Sequence, residues 1–202
     1  MSAAIELKLN EMDLTKVQTM LTGVKNGAPK VIVSAVNKTL DGVKTDSDKE
    51  IRSIITMKKK DVMATFSTRK ASVRILSARV ACSSVPVPLI KFTNSRTKKG
   101  ISVKVLKSST RTVLNHAFYA TMKSGHKGIF AREGQGPSRP VRQNIAYGAL
   151  PRKYRLPIRE LTGPRVSDIM GKPNVMQKIT AQANDRLHKN INNELNYALS
   201  RL

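Results

Sequence analysis

Few residues of this 202-residue chain could carry acid–base, nucleophilic or metal chemistry: three histidines, one cysteine and thirteen Asp and Glu. His116, His126 and His188 have no ligand spacing to one another or to Cys82, and zinc needs three or four ligands in close pairs. A single cysteine also excludes an intramolecular disulfide and every multi-Cys zinc site. Gly134-Gln135-Gly136 starts like a dinucleotide loop, but a dense Pro/Arg segment follows it in place of an apolar helix. The chain contains neither a Gly-x-x-x-x-Gly-Lys-Ser/Thr phosphate loop nor a Gly-x-Ser-x-Gly nucleophile elbow. Carboxylates are the decisive shortage, because residues 62–132 contain no Asp or Glu. Two-metal phosphoryl transfer and glycoside hydrolysis both need clustered acids. A nuclease would have to draw Asp61, Glu133, Glu160 and Asp168 from distant segments. The expectation is therefore no catalytic residue, no cofactor, no metal and no enzyme.

Charge is the property left to act. Lys and Arg number 37 against 13 acids, a formal charge of +24. Residues 1–50 balance seven bases with seven acids, residues 51–132 carry eighteen bases and one acid, and residues 133–202 carry twelve and five. Such a field attracts phosphate backbones or an acidic protein surface by counterion release and long-range steering. Aromatics are only 4% of the chain, with no Trp, so the interleaved stacking platform of a single-strand binder is missing. Helix-turn-helix spacing is not evident either. Contact with DNA would run through phosphates, without sequence preference. The candidate contact residues are Lys98, Lys99, Lys104, Lys107 and Arg111, for DNA or an acidic partner.

The elements that must position these side chains follow from periodicity. With 40% apolar residues the chain can build one real core, and the length predicts a single domain over 1–202. No stretch approaches the roughly 18 apolar residues of a membrane span, and Met1–Glu6 lacks the pattern of a secretory signal. Ile5–Leu9 alternates as a half-buried strand. Val17, Met20, Leu21 and Val24 then recur at helical spacing up to Asn26-Gly27, so residues 1–28 read as strand and helix. Residues 29–66 read as helices. Pro29 opens a helix striped by Ile32, Val36, Leu40, Val43, Ser47, Ile51 and Ile54, with Gly42 as its weak point and Asp41, Asp46 and Asp48 off the stripe. A short helix is expected from Lys58 to Phe66.

Residues 67–132 read as a β-sheet core. Period-two alternation runs from Ala71 through Val73 and Ile75 to Cys82, then Pro86 and Pro88 make an extended connector. Leu89–Thr93 and Ile101–Leu106 are predicted as a hairpin, with Ser102 and Lys104 on its polar side, and Phe118–Met122 and Gly128–Ala131 as two further strands. Residues 133–153 form a long Gly/Pro/Arg loop, expected to be ordered only by a partner. Residues 154–172 read as extended. Residues 173–202 form a helix opened by Pro173 and striped every four residues from Ile179 to Leu199, longer than a domain of this size needs for its own core.

Three blocks of this sequence resemble the phage minor tail protein Z family. They are Ile90-Lys91-Phe92 with Thr97–Val103, then Ala117–Ala120 with Met122–Arg132, then Arg155-Leu156-Pro157-Ile158-Arg159-Glu160-Leu161-Thr162-Gly163-Pro164. Their order and approximate spacing agree, and the likeness runs from about residue 30 to the end. The resemblance implies a structural virion protein, the tail completion protein at the head-proximal end of a long phage tail. It implies assembly in the host cytoplasm, a place in the tail or neck, and a role in productive head–tail joining and DNA passage. By analogy with tail symmetry it also implies a homo-oligomeric ring, a hexamer, against tail terminator, tail tube or connector proteins. Arg155, Arg159 and Glu160 are the candidate subunit-interface residues. The fold expected is α+β, with N-terminal helices, a mainly antiparallel sheet and a long C-terminal helix. The alternative is a basic, non-catalytic nucleic-acid-binding protein of ribosomal type. Such proteins carry their charge in disordered tails, whereas here it lies among the strands. A phage nuclease, the other alternative, is opposed by the missing carboxylates.

Overall fold

The computed structural model describes residues 3–9, 11–22, 27–132 and 158–200. The fold is α+β, and every paired strand in it is antiparallel. The chain forms two compact units: residues 1–53, 59–85 and 165–202 make the first, residues 54–58 and 86–164 the second. The expected loop 133–153 and Arg155 lie outside the described residues.

The first unit holds the helices. Strand β1 (Ala4–Leu7) buries Ile5 and Leu7 and leaves Glu6 outside, paired with Lys8 at 3.1 Å. Helix α1 spans Glu11–Met20 and buries Val17, while Met20 stays exposed. Helix α2 runs from Gly27, two residues ahead of the expected Pro29, to Ile54, the last residue of the expected stripe, and seats Ile32, Val36, Leu40, Val43 and Ile51 in the interior. A short α3 (Lys59–Met63) buries Val62 but stops before Phe66, which instead opens strand β2 (Phe66–Arg69). Strand β3 (Ala78–Cys82) lies between β1 and β2, with Ala78, Val80 and Cys82 turned inward.

The alternation expected from Ala71 to Cys82 is strand only in its last five residues. Ser72 and Ile75 close a tight turn by reciprocal backbone bonds of 2.8 and 3.0 Å, and Val73 and Ile75 are exposed. Ala71 cannot join a ladder because the Asn37 amide on α2 already takes both of its backbone groups, at 2.8 and 3.1 Å. Within the stretch read as extended, Val166–Met170 forms helix α4, packed on β3.

Helix α5 (Pro173–Leu199) begins with proline at its first turn, where the missing N–H costs nothing. Its stripe of Val175, Ile179, Ala183, Leu187, Ile191 and Leu195 is buried along the whole helix, with Leu199 exposed at the end. The expectation of surplus length is thereby corrected: the apolar face is consumed within its own unit. Polar pairs join α5 to α2. Lys38 meets Glu194, Asn190 donates to Thr39 at 2.9 Å, and Arg186 meets Asp46 at 2.5 Å. Numbers rise along one helix as they fall along the other, so the two are antiparallel. Gly42 is the place where Arg186 crosses α2, since a Cβ there would lie 2.6 Å from the Arg186 Nε and Nη1. Asp46 and Asp48 are buried, contrary to their expected place off the stripe. Each is held by an arginine, Arg186 for Asp46 and Arg52 for Asp48, the latter at 2.9–3.0 Å. A buried carboxylate needs such pairing to stay charged.

The second unit is built of two three-stranded sheets, where one continuous sheet was expected. The first is β4 (Thr93–Thr97), β5 (Gly100–Lys104) and β6 (Thr112–Asn115), with β5 central. The second is β7 (Phe118–Thr121), β8 (Lys127–Arg132) and β9 (Ile158–Glu160), with β8 central. The first arm of the expected hairpin is displaced, because Leu89–Lys91 makes a 3-10 turn and the strand begins at Thr93. Asn94 stabilises that turn by donating to the carbonyls of Ile90 and Phe92 at 3.0 and 2.7 Å.

Candidate functional site

The hairpin β4–β5 is closed by Lys98 and Lys99 alone, with Thr97 paired to Gly100. Gly100 sits at φ 155, and a Cβ there would run into the Leu114 carbonyl on β6, so the tip can be this tight only with glycine. Both lysines are exposed at the end of the sheet. Lys104 lies at the opposite end of β5, paired with Thr93, and is half-buried. Arg111 immediately precedes Thr112, the partner of Val103, and therefore stands beside Lys104. Its guanidinium donates to the Ser95 Oγ on β4 at 2.9 Å, so it spans the central strand. That crossing accounts for Ser102, expected on the polar side yet only 6% exposed. Lys107 is exposed beyond β5, its backbone N–H donating to the Ile54 carbonyl at 2.8 Å. The five predicted cations thus fall into two groups. Lys104, Lys107 and Arg111 gather at one end of the sheet, and Lys98 and Lys99 stand at the other, about 16 Å away, five residues from Lys104 at some 3.3 Å per residue.

Electrostatically this unit is uncompensated. Its described residues include twelve Lys and Arg and one carboxylate, Glu160. Glu160 is engaged elsewhere, with its Oε1 2.8 Å from the His126 Nε2. The pair fixes the β7–β8 turn to β9, and Gly128 makes it possible: a Cβ there would sit 2.5 Å from Glu160 Oε1. Gly128 lies inside β8, as the strand reading Gly128–Ala131 expects, while Gly125 takes the turn position at φ 81. His126 lies in the β7–β8 turn and hydrogen-bonds Glu160 through its Nε2, a contact that its position in the sequence does not signal. Arg159 is exposed on β9, and Arg132 lies 4.9 Å over the Phe118 ring. In the first unit, by contrast, acids are plentiful and pair with Lys8, Lys38, Lys49, Arg52 and Arg186.

Chemistry of other kinds finds little purchase among the described residues. No group of three or more His, Cys, Asp or Glu is placed to hold a metal ion there. Cys82 is buried against the Met170 sulfur at 3.1 Å, and burial pushes its thiol up to about 12, far from a reactive thiolate. A cavity of about 270 Å³ in the first unit is lined by Lys8, Leu9, Leu14, Ile32, Leu76 and Ser77, without an acid–base pair. No described helix is long and apolar enough to cross a membrane.

No curated protein and no solved structure matches this chain. A family model does, that of the prophage minor tail protein Z, over residues 14–202. The match takes in both compact units, the cationic sheet and the long terminal helix. This chain therefore belongs to the prophage minor tail protein Z family, a family of structural phage tail proteins.

Proposed function

We propose that this protein completes the tail at its head-proximal end, where it makes the tail competent to join heads and to pass DNA. The observation that carries the reading is the family match across residues 14–202. In this reading the subunit forms a homo-oligomeric ring, a hexamer by analogy with tail symmetry, against the tail terminator, tail tube or connector proteins. Assembly takes place in the host cytoplasm. Arg155, Arg159 and Glu160 belong to the subunit interface, and the cations Lys98, Lys99, Lys104, Lys107 and Arg111 face a polyanionic or acidic neighbour. Its role is one of assembly rather than catalysis, a view supported by the absence of any acid between Asp61 and Glu133. The uncompensated charge of the second unit supports the same view, because self-repulsion of this kind is relieved by a counter-charged partner.

The test is a phage lacking this chain, complemented with wild-type or variant copies. Tails made without it should fail to join heads, and cryo-electron microscopy of the complemented neck should find the chain there. Density for it at the distal tip, or normal joining in its absence, would refute the placement.

A further inference from the structure

Resting on the reading of the second unit as a polyanion-facing surface, we propose that the outward face of the β4–β5–β6 sheet binds the phosphodiester backbone of double-stranded DNA. Residues directly paired across strands share a face. One face carries Arg96, Ile101 and Leu114 with Asn94, Val103 and Thr112, and its central Ile101 and Val103 are buried. The other carries Thr93 with Lys104, Ser95 with Ser102 and Val113, and Thr97 with Gly100 and Asn115. Apart from Lys104 and the overlying Arg111, which covers Ser102, this second face carries the short polar side chains of Thr93, Ser95 and Asn115, all exposed, which let a ligand backbone come close to the sheet. Cations stand at both of its ends, and no carboxylate lies on it.

The local arrangement calls for an anion. Lys104 and Arg111 are like charges side by side, a destabilising cross-strand combination. Arg111 donates to a neutral hydroxyl, which leaves most of its guanidinium fork for an oxyanion. A phosphate set between Arg111, Lys104 and the Ser95 hydroxyl, whose own proton is free while its oxygen accepts from Arg111, would satisfy all three. The second group, Lys98 and Lys99, stands about 16 Å from Lys104 along the hairpin, a span that the long lysine and arginine side chains can bring to the roughly 12 Å width of the major groove. The two ends can therefore reach the two phosphate chains that border one groove.

Two features select the ligand. None of the aromatic residues lies in β4, β5 or β6, so single strands have no stacking platform on this face. The face also has only one apolar side chain, Val113 at 44% exposure, to anchor an acidic protein.

Fluorescence anisotropy on the purified full-length protein tests this, with a labelled duplex of arbitrary sequence, the corresponding single strand, and poly-glutamate as competitor. Lys104→Gln/Arg111→Gln and Lys98→Gln/Lys99→Gln should each weaken duplex binding and lower the salt slope by about two, roughly one per lost phosphate contact. Lys178→Gln/Lys189→Gln, on the exposed side of α5, removes the same charge from the first unit and should leave the slope unchanged. The tip pair is exposed, so it reports on binding even if the half-buried Lys104 proves needed for folding. The proposal is overturned if the tip pair behaves like the α5 control. It is overturned equally if the single strand binds as tightly as the duplex, or if poly-glutamate competes as well at equal charge. These outcomes leave the tail placement untouched, just as failed head joining would leave a DNA-binding result standing.

Discussion

Glycine at position 42 costs α2 helical stability, and the structure gives the reason it is there. Replacing an interior helical glycine by alanine gains about 1 kcal/mol. A Cβ at position 42, however, would occupy the path of Arg186, 2.6 Å from its Nε and Nη1. The side chain would swing away and abandon Asp46, whose own side chain is only 11% exposed. Lys49, 3.9 Å from Asp46 on the same helix, would remain as a weaker partner. Charged hydrogen bonds contribute about 1.5–3 kcal/mol, and the 42% exposure of the Arg186 side chain pulls this pair towards or below the low end, to roughly 1–2 kcal/mol. Gly42→Ala alone should therefore be neutral or destabilising by up to about 1 kcal/mol. In an Arg186→Ala background the obstacle is gone, and the same substitution should stabilise by about 1 kcal/mol. The cycle predicts a coupling of about 1–2 kcal/mol between two residues far apart in sequence. Urea unfolding followed at 222 nm measures all four variants. Thermal unfolding offers a second readout, at about 2–4 °C per kcal/mol for a chain of this size. If Gly42→Ala stabilises by the same amount in both backgrounds, Arg186 does not depend on the glycine and the reasoning fails.

Three further outcomes follow from buried or paired groups. Cys82 should resist maleimide in the folded protein and react at once in denaturant; its contribution to stability is complete below the ordinary thiol value of 9.0 and is lost as pH climbs towards about 12. Burial alone would raise Glu194, but hydrogen bonds from Lys38 and Ser34 and the Lys38 charge hold it below the usual 4.5. The stability it supplies is therefore present above that value and lost as pH falls through the lowered one, so Glu194→Gln should flatten the acid limb of a stability–pH curve. Arg52→Ala should destabilise by about 3 kcal/mol or more in urea unfolding, because it strands a fully buried Asp48. Asp48→Asn, which leaves only the 35% exposed Arg52 without its counter-charge, should cost clearly less.

Local rules made much of this protein legible from its residues. The four-residue recurrence from Ile179 to Leu195 could form only a one-sided helix, and proline at 173 could only open it. The apolar stripe of α2 was equally plain, as were the two strands flanking Gly125. The excess of Lys and Arg over acids in the central segment was likewise plain from counting. These features depend on neighbours within a few positions, and periodicity reports such neighbours directly.

What the sequence left open was settled by contacts between distant segments. Val73 and Ile75 alternate as a strand should, yet the Asn37 amide captures Ala71 and turns the following residues out to solvent. Asp46 looked like a surface acid until Arg186, 140 positions away, crossed Gly42 to meet it. Five candidate cations formed one patch on paper. The register of β4, β5 and β6 divides them between two ends of one sheet and lays Arg111 across to Ser95. Periodicity says which side of an element is apolar, but it cannot say which remote side chain will meet the other side. That depends on strand order, helix crossing and the space left by a missing Cβ, all properties of the folded chain.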